Sequence, residues 1–206
     1  MLIGRNGTAP RAHPSATIAS SATVVGNVEI GPRAYVDHGV VVESSGPPVE
    51  IGEEVIVFAG AIIRSVGGTS RPAFPVRIGK RTMVSPLCVL TGCEVGSNCY
   101  VATGAIVLQG ASVGDHARVG AGAIVHATTV LPERMRVGMR HLAVPTADGF
   151  LTTSDVEQAR ELLAGTDFFE TAFGAAADDQ AELHTQVMST LLEEVHDWQD
   201  ESIPAP

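Results

Sequence analysis

The chain has 206 residues, 45% of them hydrophobic, which is room for one domain with an appendage; only 4% are aromatic, so its core must come from Val, Ile, Leu and Ala. The net charge of −10 is uneven: residues 1–140 hold 12 basic against 9 acidic side chains, whereas residues 141–206 hold 14 Asp and Glu against Arg160 alone. That balance argues against nucleic-acid binding, the absence of an apolar run of about 18 residues against a membrane span, and three cysteines against a disulfide framework. The stretch Met1–Asn6 lacks the apolar segment of a secretory signal, so a cytoplasmic location is expected.

From Ile18 a branched apolar residue returns every six positions, at Val24, Ile30, Val36 and Val42. After an insertion the count resumes at Ile51, Val57 and Ile63, and after a second at Ile78, Val84 and Leu90. One step of five reaches Val95, followed by Val101, Val107, Val113, Val119, Val125, Leu131 and Val137. A mostly small residue stands two positions earlier, as at Ala22, Ala61, Cys88, Cys93, Cys99 and Ala105. Six is neither the strand period nor the helix period; it fits a short strand plus a turn, three to a coil, with coils stacked in register. The expected fold is mainly β: a parallel β-helix over residues 1–145, with Gly, Asn, Asp and Ser at the corners.

The stretch Met139–Pro145 reads as an exit strand or loop. Ser154-Asp155-Val156-Glu157 then reads as a capping box with Ser154 at the N-cap, and Val156, Leu163, Phe169 and Phe173 share a helical stripe. A second helix is expected from about Asp178 to Asp200, with His184, Val187, Met188, Leu191, Leu192, Val195 and Trp198 on one face. Residues 146–206 thus form an acidic α-helical hairpin against the β-helix, a surface for a protein partner, with Ile203–Pro206 as a loose end.

Four segments carry a closer likeness: Gly7–Ala16, Val24-Val25-Gly26-Asn27-Val28-Glu29-Ile30-Gly31, Leu90-Thr91-Gly92-Cys93 with its five-residue step, and Gly120–Val125. Over residues 7–145 the chain resembles the γ-class carbonic anhydrase family of hexapeptide-repeat proteins. The resemblance implies a left-handed coil and a homotrimer. In the family, zinc is held between subunits by three histidines. At those positions this chain has Arg64, Pro86 and Thr91, and the usual Arg and its acidic partner are replaced by Glu43 and Ser45. Arg and Pro offer zinc no lone pair and Thr is a poor donor, so no metal is expected at the family position.

The repeat makes Val42, Ile63 and Leu90 neighbours on one face, so Glu43, Arg64 and Thr91 should stack as a ladder continued by Leu108 and His126. Glu43 and Arg64 either pair and pin the assembly, or present a guanidinium to a small anion. Between positions 64 and 81 the chain has Arg64, Arg71, Arg77, Lys80 and Arg81 and no acid. In the family fold this loop lies beside the intersubunit cleft, where it either binds an anion or docks on the acidic tail. Cys88, Cys93 and Cys99 read as small core residues, and Cys93 as a neighbour of the vacated site.

Three functions follow. The first is a zinc-independent protein binding or transforming a small anionic molecule at a trimer interface, with Glu43, Arg64, Thr91 and His126 as catalytic candidates and Arg64, Arg71, Arg77, Pro86 and Cys93 lining the substrate; it needs no cofactor. The second is a hexapeptide-repeat acyltransferase using acyl-CoA or an acyl carrier, with His126 as general base and Arg71 and Arg77 for the phosphates. The third is a non-catalytic scaffold.

Overall fold

The computed structural model describes residues 1–68, 71–164, 170, 173–175, 180–196, 198 and 200–202. The chain winds as a left-handed parallel β-helix followed by two helices. Each coil visits three faces. Sheet A collects β1 (Leu2–Arg5), β4 (Thr23–Val25), β7 (Val41–Glu43), β10 (Ile62–Arg64), β13 (Val89–Thr91), β16 (Ile106–Val107), β19 (Ile124–Val125), β22 (Leu142–Thr146), β23 (Gly149–Thr153) and β24 (Asp200–Ser202). Sheet B collects β2 (Arg11–Ala12), β5 (Val28–Ile30), β8 (Val49–Ile51), β11 (Val76–Ile78), β14 (Glu94–Val95), β17 (Ser112–Val113) and β20 (Val130–Leu131). Sheet C collects β3 (Thr17–Ile18), β6 (Tyr35–Val36), β9 (Ile56–Val57), β12 (Met83–Val84), β15 (Tyr100–Val101), β18 (Arg118–Val119) and β21 (Arg136–Val137). The coil begins before the first residue of the six-step count, since β1 and β2 already pair with β4 and β5.

The period-six residues fill the interior: all of them except the partly buried Ile18 are buried, with Ala22, Ala61, Cys88 and Ala105 closing the corners around them. Register follows the count, Ile63 lying beside Val42 on one side and Leu90 on the other.

Between sheets B and C the corner residues divide two tasks that the sequence merges. Gly31, Gly52, Gly79, Gly96 and Gly114 stack so closely that an added Cβ would meet the next coil. The left-handed backbone conformation falls two residues later, on Arg33, Glu54, Arg81, Asn98 and His116, and again on Arg134, two residues after Pro132. Between sheets C and A it falls on Gly39, Gly60, Leu87, Gly104, Gly122 and Arg140.

The residues after Val137 do more than leave the coil. β22 continues sheet A and turns back into antiparallel β23. Helix α1 (Val156–Leu163) is capped by Asp155 rather than Ser154: the Asp155 backbone is extended, and its carboxylate accepts from the Glu157 and Gln158 N–H groups. A carboxylate one residue closer to the first turn displaces the Ser hydroxyl from that role. Val156 is exposed, and Ala159 is the buried residue of α1. In α2 (Gln180–His196) only Val187 of the expected stripe is buried, while Met188, Leu192 and Val195 face outward. Phe169, Asp178 and residues 203–206 lie outside the described residues. Beyond α2 the chain reaches the opposite end of sheet A, where β24 pairs antiparallel with β1. No helix among the described residues is long and apolar enough to cross a membrane.

Candidate functional site

The ladder on sheet A forms with the expected register: Arg64 pairs with Glu43 below and Thr91 above. Leu108 and His126 continue it, their N–H groups bonding to the carbonyls of Val125 and Ala143. Glu43 is shared by two guanidiniums: Arg5 Nη1 lies 2.5 Å from its Oε1, and Arg64 Nε lies 3.6 Å from its Oε2. Arg64 Nε also donates to Ser45 Oγ at 3.2 Å. Trp198 covers the group, its ring centre 4.2 Å from Arg5 Cζ and 5.5 Å from Arg64 Cζ. Two cations against one aromatic ring, with a carboxylate between them, make a clasp holding the C-terminal segment to the first coils. Arg5 and Trp198 were invisible to the repeat, one preceding its first position and the other reaching sheet A only through the return of the tail.

The other expected residues separate. Arg77 stands on the outer face of sheet B, 2.7 Å from Glu94 and 3.5 Å from Glu50, in a solvated charge ladder. Arg71 lies in the loop between β10 and β11, its Cζ 5.3 Å from the centre of the Phe173 ring, so this part of the basic loop meets the tail. Pro86 sits at the corner between sheets C and A, where its carbonyl accepts from the Gly104 N–H, at the opposite edge of sheet A from Thr91. Arg64, Pro86 and Thr91 supply no zinc donor set. Among the described residues no three His, Cys, Asp or Glu side chains gather as a metal site.

His126 is half-buried, and desolvation lowers its pKa, which keeps the imidazole neutral near pH 7. The cysteines are buried, and desolvation raises each pKa, for Cys93 to about 12. Native protein at pH 8 is therefore expected to leave all three thiols unreacted with a chromogenic disulfide reagent, and denatured protein to titrate all three. The raised Cys93 value also favours folding below the ordinary thiol pKa of 9.0, an advantage lost as pH rises from there to about 12.

A histidine outside the expected set also has a defined setting. His141 Nδ1 lies 2.9 Å from the Met139 carbonyl oxygen. A carbonyl can only accept, so Nδ1 carries the proton and Nε2 keeps its lone pair. The ring packs over Gly138, where an added Cβ would fall 2.6 Å from Nδ1. With Arg140, Ile124, Leu142, Ser154 and Asp155 it lines a concavity of about 180 Å³ between the last coil and α1. The sequence signal was a Gly three residues before a His at a coil corner, legible only once each corner's geometry is known.

No protein-family model matches the chain. Among solved structures it is similar to a presumed acetyltransferase from Bacillus cereus, at 16% identity over 92% of this chain and 94% of that one, with a TM-score of 0.49. It is also similar to the UDP-N-acetylglucosamine acyltransferase of Campylobacter jejuni, at 17% identity over 95% and 100% of the two chains, with a TM-score of 0.45. PerB from Caulobacter crescentus, solved with CoA and GDP-perosamine, is similar at 23% identity over 70% of this chain and 56% of its own, with a TM-score of 0.35. By its own coil geometry the chain is a hexapeptide-repeat left-handed β-helix protein.

Proposed function

We propose that the chain is a metal-independent acyltransferase that moves a small acyl group from a thioester, acyl-CoA or an acyl carrier, to an amine or hydroxyl acceptor. The observation that carries this reading is His141, whose tautomer and ring plane are set before any substrate arrives. Nε2 accepts the acceptor's proton as its N or O bonds to the acyl carbon; the C–S bond breaks, and the proton passes from the imidazolium to the leaving thiolate. A concavity of about 180 Å³ suits a short acyl group and the tip of an acceptor, not a whole cofactor.

The working unit in this reading is a homotrimer. Outward positions on sheet A (Val41, Ile62, Val89, Ile106) and in the middle of sheet C (Ile56, Met83) are apolar, whereas those on sheet B are mostly charged. At the corner between sheets C and A, Leu87 has φ 61° and is 65% exposed, in a column otherwise held mainly by glycines. A leucine there costs roughly 1–2 kcal/mol of backbone strain, which a contact with a second copy offsets. A second reading, anion binding at Arg64, is favoured by its 39% exposed side chain, which lies 3.6 Å from Glu43.

The test is thiol release from acetyl-CoA in the presence of amino and hydroxyl acceptors, with sedimentation to establish the assembly. The substitution His141→Asn is expected to lower kcat by about 10²–10⁴ with an unchanged circular dichroism spectrum. Full activity in that variant, or no CoA binding by calorimetry, overturns the reading.

A further inference from the structure

Arginines along this coil mostly stand beside acidic side chains. On sheet B, Arg11 is paired with Glu29, and Arg77 stands between Glu50 and Glu94. At the corner between sheets B and C, Arg33 bonds to Glu53 and Glu54, and Arg81 bonds to Glu54. These bonds raise the Arg33 and Arg81 pKa values and lower that of Glu54. On sheet C, by contrast, Arg118 and Arg136 are register partners on β18 and β21, both outward and exposed. Among the described residues no acidic side chain lies within 4.0 Å of either, nor of the exposed Arg140 that follows on the same coil. Asp155 shares a concavity with Arg140, but its carboxylate serves the first turn of α1.

Like charges on adjacent rungs, roughly 4.7–4.9 Å apart, destabilise a sheet unless a counter-charge sits on them. Keeping one cation on the edge strand β21 would suffice to discourage edge pairing; a second beneath it serves no such purpose. We propose that Arg118 and Arg136 form a binding site for a diphosphate. Guanidiniums bond phosphate oxygens two at a time, and two on neighbouring rungs match two linked phosphates. The next rung of the column is the exposed Tyr100, a surface for an aromatic base attached to the phosphates. The site stands whether or not His141 is catalytic, because it is read by binding alone.

The experiment is calorimetric titration of the full chain with sodium pyrophosphate, ADP and orthophosphate at fixed salt, on the parent protein, Arg118→Gln/Arg136→Gln and Arg11→Gln. Pyrophosphate and ADP are expected to bind at least about tenfold more tightly than orthophosphate. The double substitution should weaken both by at least about tenfold while raising the melting temperature without ligand; Arg11→Gln should change neither. Tighter binding of ADP than of pyrophosphate assigns the base to Tyr100 and supports a nucleotide source; equal binding supports the diphosphate alone. Undiminished pyrophosphate binding in the double variant overturns the proposal. So does a fall in assembly mass without any phosphate effect, since the arginines then face an acidic partner surface.

Discussion

Replacing Glu43 by Ala is expected to destabilise the protein by about 3 kcal/mol, the lower end of the range for breaking a buried ion pair. The Arg5 side chain is only 10% exposed, and the Glu43 carboxylate lies between it and Arg64. Without Glu43 both guanidiniums lose this carboxylate beside the Trp198 ring, the more buried one where water is scarce. Urea unfolding at neutral pH reads the loss. The double variant Arg5→Met/Glu43→Leu should cost less than the sum of the two single substitutions, because the two side chains are coupled. If Glu43→Ala costs under about 1 kcal/mol, as an exposed pair would, the clasp is not a structural element and Arg64 becomes the stronger ligand-binding candidate.

The second large effect belongs to a glycine with ordinary backbone angles. A Cβ on Gly79 would fall 2.6 Å from the Gly96 carbonyl carbon and from Ser97 N. Those are backbone atoms of the next coil, so relief requires the coils to part where Gly79 N donates to Val95 O at 2.7 Å. Gly79→Ala should therefore cost at least about 3 kcal/mol, the upper part of the range for overpacking. Gly104 is the control: φ is +69° but nothing lies within 4 Å of its missing Cβ, so Gly104→Ala carries backbone strain alone, roughly 1–2 kcal/mol. Thermal melts of the two variants should rank Gly79→Ala well below Gly104→Ala; the reverse order would mean that conformational freedom, not room, governs these corners.

The sequence made the ladder readable because inward residues on a three-sided coil repeat in register, so the neighbours of Val42, Ile63 and Leu90 follow without coordinates. The same winding misleads about consecutive residues. The run from Arg64 to Arg81 looks like one basic patch, yet six residues carry the chain from one face to the next. Arg64 therefore points from sheet A, Arg77 from sheet B into a pair of glutamates, and Arg81 toward Glu54 at the following corner. The clasp lay beyond any local pattern, because Arg5 meets Trp198 only after the tail has returned. His141 lay below its resolution, because a tautomer is set by one carbonyl.

Sheet A ends at both extremes in an antiparallel strand from the tail, β23 at one end and β24 at the other. During synthesis on the ribosome, β1 emerges before the other strands of the coil, and its outer edge waits for β24, made almost 200 residues later. Throughout that interval the nascent coil offers an unpaired strand to any neighbour in a polysome. Early coils can stack as they appear, but the first edge is sealed last. Elongation rate and chaperone supply, more than final stability, then govern how much of this protein escapes co-translational aggregation.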